Sequence, residues 1–136
     1  MSKPDSGAYC LLVHLAHDVV VAVGRLGRFQ FAAGYYVYTG SAMRGLAARL
    51  TRHQRRDKTL RWHIDYLLAA SGARVVECVA YPSPERQECT LNQAVQRKRG
   101  ARVPIKGFGS SDCQSGCPAH LTYFKLRPRL PSGVRR

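Results

Sequence analysis

Residues 35–56, YYVYTGSAMRGLAARLTRHQRR, decide how this chain is read. Residues 35–39 are aromatic and β-branched, a composition that suits a pleated, half-buried surface, and they predict a strand. From Arg44 to Arg56 the apolar period becomes helical. At about 100° per residue, Leu46, Ala47 and Leu50 fall in one sector. Arg49, Arg52 and Arg56 take the other side, three and four residues apart. His53 follows Arg49 by one turn, so the two project as neighbours where core meets solvent. A buried strand thus runs straight into a basic, two-faced helix.

On the N-terminal side, residues 8–15 (AYCLLVHL) and 19–23 (VVVAV) are β-prone around a turn at Ala16-His17-Asp18, and they predict a hairpin. Gly24 and Gly27 then punctuate the chain. On the C-terminal side, residues 62–70 (WHIDYLLAA) predict a second helix and 74–81 (RVVECVAY) another strand. Ser83-Pro84 offers a capping oxygen and a first-turn proline, predicting a helix to about Lys98, before Gly100. Residues 119–126 (AHLTYFKL) complete the strands. The order predicts an α+β fold: a small, mostly antiparallel sheet flanked by helices, with an extra N-terminal hairpin. The 136 residues suit a single domain spanning 1–136. Tails 1–6 and 127–136, the latter with two prolines, a glycine and four arginines, are expected to be flexible.

The charge is lopsided. Lys and Arg number 22 against 8 acids, a formal net charge of +14. Such self-repulsion opposes compaction and points to a polyanionic partner, DNA first and RNA not excluded. Seven of the basic residues lie between Arg44 and Arg61, with Asp57 the one acid among them. Arg97 to Lys106 holds five more and no acid. Runs without interleaved aromatics contact backbone phosphate, not bases. Arg44, Arg52, Arg56, Lys58, Arg61 and Lys106 are the candidate nucleic-acid-binding residues. The bland alternatives are a solvated helix face or contact with anionic lipid.

Five cysteines, an odd number, and a polar start, MSKPDSG, argue against an exported disulfide framework and predict a reducing cytoplasm. No apolar run approaches the roughly 20 residues that span a bilayer, so no membrane partner is expected. The chain is read as a monomer.

Few residues can offer a carboxylate to a metal. Asp5 and Asp18 fall in a tail and a turn, and Glu85 suits a first helical turn. Glu88 precedes Leu91 by three and Val95 by seven, on the inward stripe of its helix. A lone carboxylate there costs several kcal/mol unless something compensates it. One resolution is a structural ion pair with Arg49. The other is a hard ion, Mg²⁺ or Mn²⁺, held by one or two carboxylates, waters and a substrate phosphate. Cys113, Cys117 and His120 form a C-x3-C-x2-H set that could take zinc. It is one ligand short of the usual four, with Asp112 or a distant cysteine to complete it, so the hard ion is preferred. The blander reading is small thiols packed in a tight Gly/Ser loop. His63 and Asp65, two apart on a helix, point to different sides and are not paired. Trp62, Tyr66 and Leu67 are read as core.

Gly7-Ala8-Tyr9, Tyr38-Thr39-Gly40 and the passage from Tyr38 to His53, together with Glu88, resemble the GIY-YIG nuclease superfamily. GRFQFAAGYYVYTGSA, RWHIDYLL, Glu88-Cys89 and GFGSSDC…AHL further resemble a small subgroup, some of whose members are fused to endonuclease III-type repair enzymes. The likeness runs from Gly7 to Lys125. It implies a divalent-metal-dependent DNA endonuclease, associated with DNA-repair enzymes. A metal on Glu88 would bind a phosphate oxygen, Tyr9 would activate or position water, and Tyr38 would orient that network. Arg49 would stabilise charge on the phosphate, and His53 or His63 would move a proton. As a base, Tyr9 would need Arg49 and the metal to lower its pKa from about 10. Ala8 and Thr39 depart from the branched aliphatics usual in the two motifs. The spacings Tyr9–Tyr38 and Gly40–Arg49 are long, and Ser110, Ser111 or Asp112 would stand for a polar residue after the glutamate helix. The alternative function is a non-catalytic DNA- or RNA-binding module that keeps the fold.

Overall fold

A computed structural model describes residues 4–110, 113 and 115–136. Its centre is β1 (Gly7–Leu15), eight of whose nine residues are buried. A strand covered on both faces needs long neighbours on both edges, and β1 has them. It pairs antiparallel with β4 (Gly34–Ala42) on one side and β5 (Ala73–Pro82) on the other. β6 (Leu121–Phe124) extends the sheet beyond β4, and β7 (Val134–Arg135) beyond β5. The order is β6-β4-β1-β5-β7, antiparallel throughout. The predicted α+β class holds.

Local pairing differs from the expectation. β1 does not form a hairpin with β2 (Val19–Val23). β2 pairs instead with β3 (Gly27–Phe31), a strand the sequence reading passed over, in a separate two-stranded sheet. Both hairpin strands alternate between half-buried and exposed residues, as a hairpin with one covered face should.

Side chains alternate across the main sheet. Tyr9, Leu11, Val13 and Leu15 join the larger core, with Leu46 and Leu50 of α1 (Leu46–Gln54), Ile64 and Leu67 of α2 (His63–Leu68), and Val23 and Phe31 of the hairpin. Cys10, Leu12 and Val79 face the other way, against Val95 of α3 (Glu88–Gln96) and Leu130. Helices therefore cover both faces. α3 starts four residues later than expected, because Ser83 Oγ accepts the Glu85 amide in a local turn and caps no helix.

The segments read as flexible tails dock in their described parts. Asp5 accepts the Leu46 amide through its carbonyl and the Ala47 amide through its carboxylate, tying down the start of α1. At the other end β7 covers the outer edge of β5, Leu130 is buried, and Tyr81 donates to the Pro131 carbonyl at 2.7 Å. Gly133 permits that approach, since a Cβ there would lie 2.7 Å or less from Tyr81, Ala80 and Val79. No helix among the described residues is long and apolar enough to cross a membrane.

Candidate functional site

β6 pairs with β4 only from Tyr35 to Tyr38. The Thr39 amide still donates to the His120 carbonyl, and beyond it the outer edge of β4 opens into a cleft of about 800 Å³. Tyr38, Gly40 and Ser41 line it from the sheet, Arg49 from α1, His63 from α2, and Glu88 and Cys89 from α3. Trp62, Arg61, Arg86 and His120 complete much of its wall. Of the expected catalytic set, Tyr38, Arg49, His63 and Glu88 face the cleft. Tyr9 and His53 lie behind it, 1% and 2% exposed.

Gly40 explains how Tyr9 comes so near. The two residues are directly opposed in the β1–β4 register, and a Cβ on Gly40 would lie 2.5 Å from the Tyr9 hydroxyl oxygen. That oxygen shares a 2.8 Å hydrogen bond with His53 Nε2. Gly40→Ala is therefore expected to push the Tyr9 ring aside and break this bond, at an overpacking cost of about 1–3 kcal/mol. Chemical denaturation together with the His53 imidazole NMR shifts would check it. Unchanged shifts would contradict the close packing.

Burial overrides the expected activation of Tyr9. Arg49 draws its pKa down, but desolvation pushes it up by more, well above the usual value. Tyr38 is raised likewise, first by burial and then by Tyr9 and Glu88. Both stay neutral phenols near pH 7. Burial, joined by Lys58, Arg49 and Arg52, drives His53 down to about 3 against the pull of Asp65. His53 is a neutral imidazole, and its Nδ1 has no hydrogen-bond partner among the described residues. His63 is also lowered by burial, and its Nδ1 accepts the Gly109 amide at 2.9 Å. A neutral ring so bonded carries its proton on Nε2.

The basic residues divide. Arg52 donates to both Asp65 oxygens at 3.0 Å and to the Thr59 carbonyl. Arg56 donates to the Ala73 carbonyl, and Lys58 to the carbonyls of Arg52 and His53 at the end of α1. These three, expected at phosphate, are engaged in holding the fold. Arg44, Arg61 and Lys106 are exposed. Arg49 donates to the Ser41 carbonyl at 3.2 Å and does not pair with Glu88. Trp62, read as core, lines the cleft with the guanidinium carbons of Arg49, Arg52 and Arg61 at 4.5, 4.3 and 5.1 Å from its ring centroid. Asp65 neutralises one of those charges. Arg49, Arg61 and Arg86 face Glu88 as the one carboxylate among the described residues of the lining.

Glu88 stands at the start of α3, accepting from Ser41 Oγ at 2.5 Å, with its other oxygen 3.0 Å from His120 Nδ1. The latter contact is an ion pair by distance. Burial would raise the Glu88 pKa, but His120, Ser41 and Arg86 hold it below the usual value, so the group is ionised. Burial likewise opposes protonation of His120, and Glu88 with the thiols of Cys113 and Cys117 lifts it to about 9.

Behind His120 the structure gathers Cys89, Cys113 and Cys117. One ligand atom from each, with one from His120, lies within 4.8 Å of the others, and the four could hold a metal ion. Cys89 is the fourth candidate ligand missing from the C-x3-C-x2-H set. Its 24-residue distance from Cys113 hid it, though its place beside Glu88 put it near the right helix end. Cys89 and Cys113 sulfurs are 3.2 Å apart, unbonded. Burial and the neighbouring thiols push Cys89 to about 12, whereas Cys113, despite burial, is drawn down to about 6 by bonds from Cys89 and nearby amides. Ser110 Oγ accompanies the Pro118 carbonyl at 3.5 Å, outside the cleft lining, and Ser111 and Asp112 lie outside the described residues.

No curated protein and no solved structure matches the chain. One family model does, over residues 8–135, from the second residue of β1 to the last of β7. The chain belongs to the family described as Domain of unknown function DUF123.

Proposed function

We propose that the cleft hydrolyses phosphodiester bonds in nucleic acid, DNA in the first instance, as a metal-dependent endonuclease of the GIY-YIG type. The observation that carries this reading is the convergence of Tyr38, Arg49 and Glu88, distant in sequence, on one cation-rich cleft with the Tyr9–His53 pair directly behind. Three arginines against one carboxylate favour an anion in the cleft, and a phosphodiester matches the forked donors of arginine.

Glu88 is ionised and backed by the Ser41 hydroxyl, a donor set that fits one Mg²⁺ or Mn²⁺ completed by water and phosphate. When bound, such an ion supplies Lewis-acid polarisation of the phosphate. The thiol-rich cluster behind His120 suits a softer ion, zinc foremost, and not the hard one. Arg49, braced by Ser41 and stacked on Trp62, offers fixed positive charge to the transition state. The Tyr38 hydroxyl can orient water, and the His63 Nε2–H can donate into the cleft. Tyr9 and neutral His53, hydrogen-bonded to each other, support the cleft from behind. With its pKa drawn down to about 3, His53 does not accept a proton near pH 7, which leaves His63 as the imidazole able to move one.

Cleavage of labelled plasmid, single-stranded and branched DNA with Mg²⁺ or Mn²⁺ tests the reading. Arg49→Ala is expected to slow cleavage by about 10²–10³-fold, as loss of one preorganised donor does. Tight binding without cutting on every substrate would instead favour the non-catalytic binding module.

A further inference from the structure

The five cysteines separate into two kinds. Cys10 and Cys78 are buried singly in the core. Cys89, Cys113 and Cys117 are partly exposed and converge with His120 at the wall of the cleft. Small buried thiols filling core gaps have no reason to meet in this way. Among the described residues from Pro104 to His120 there is no helix or strand. Ile105, Phe108 and Ala119 anchor its two ends in the core, and the Gly107 and His120 amides donate to the Pro118 and Phe108 carbonyls, so Cys113 and Cys117 sit on the turn between those anchors.

We infer that Cys89, Cys113, Cys117 and His120 form a closed structural zinc site, with Glu88 as the carboxylate that orients the histidine. Three sulfurs and one imidazole are a full tetrahedral set for Zn²⁺. In such a site ligand atoms lie about 3.8 Å apart, given Zn–S bonds of about 2.3 Å. The Cys89 sulfur is 3.7 Å from His120 Nε2. That nitrogen faces the sulfurs while Nδ1 faces Glu88, the carboxylate–histidine–metal arrangement by which proteins orient a metal-bound imidazole.

The surroundings support the same assignment. Gln93 Nε2 approaches the Cys117 sulfur at 3.8 Å, as an amide does toward a thiolate. Asn92 and Gln96 both donate to the Ala119 carbonyl, at 2.8 and 2.9 Å, pinning the backbone just before His120. The ion would join the start of α3 to the segment leading into β6. It would thereby fix the wall that carries Glu88. This site does not depend on the nuclease reading.

The full chain, purified under reducing conditions, is expected to contain about one zinc per molecule by mass spectrometry. Replacement by Co²⁺ should give intense visible bands of tetrahedral cobalt and thiolate-to-cobalt charge transfer. Cys113→Ser should lose the ion, whereas Cys10→Ala and Cys78→Ala should keep it. Because Cys113→Ser could unfold, Glu88→Gln provides a second reading: the thiolate bands remain and affinity falls about 10–100-fold. A folded, reduced wild-type chain that binds neither ion would overturn the site. So would the weak spectrum of a water-coordinated ion, full zinc content in Cys113→Ser, or a Cys89–Cys113 disulfide in the reduced preparation. Zinc without cleavage would leave the site standing and count against the nuclease alone.

Discussion

Glu88→Gln is expected to lower cleavage by about a thousandfold or more while nucleic-acid binding stays near wild type. The amide keeps the size of the side chain but loses its charge. In the proposed mechanism that charge holds the hard ion, whose stabilisation of the phosphate amounts to several kcal/mol, and each 1.4 kcal/mol or so is about tenfold in rate. Arg49, Arg61 and Arg86 remain in the cleft, so attraction for phosphate persists and should rise slightly with the carboxylate gone. Single-turnover cleavage and fluorescence anisotropy at one fixed salt concentration would separate the two effects, since phosphate contacts make affinity salt-dependent. Glu88 also stands 3.0 Å from His120, so the zinc content of the variant must be measured alongside. Lost cleavage with zinc retained at saturating concentration places the defect in the cleft. Wild-type cleavage by a zinc-loaded variant would reduce Glu88 to a partner of His120.

The parts of the fold legible in the sequence were those set by local pattern. The YYVYT run lies in β4, and the apolar sector Leu46, Leu50 is the buried side of α1. Pairing was harder, because it is decided by burial on both faces and not by adjacency. β1 and β2 are neighbours in the chain, yet β1 takes partners from residues 34–42 and 73–82. β3 escaped notice because GRFQF alternates two polar residues between apolar ones, a weak run after two glycines. For the site, a helical wheel places Arg49, Arg52 and Arg56 on one side but does not identify their partners. Arg52 and Arg56 reach Asp65 and a backbone carbonyl in α2 and β5. The sign of the Tyr9 shift could not be read from charge alone, since burial of the ring outweighs the arginine beside it. Cys89 could be recognised as a candidate ligand only once the fold brought α3 to the segment containing Cys113 and Cys117.

Asp65→Ala is expected to be the most destabilising single substitution outside the apolar core. The carboxylate has no exposed surface and accepts four hydrogen bonds: two from Arg52, and one each from the amides of Arg61 and Trp62. It caps α2, clamps α1 to it, and neutralises one of the three guanidiniums around Trp62. Its removal strands a half-buried guanidinium and two amides, and breaking a buried pair from one side costs about 3–5 kcal/mol. For a domain of this size that corresponds to a fall in Tm of roughly 10–20 °C. The effect should depend on pH in a defined direction. Burial raises the Asp65 pKa, but the Arg52 and amide hydrogen bonds outweigh it, leaving the folded value below the unfolded one. The stabilisation is therefore complete above the unfolded pKa, about 3.9, and is lost as pH falls through the folded value. Urea denaturation of wild type and variant should show a wide gap near neutrality that narrows in acid. A gap that stays constant through this range would mean the carboxylate contributes shape and not charge. Arg52→Ala in the Asp65→Ala background should then cost less than Arg52→Ala alone, because the guanidinium has already lost its partner.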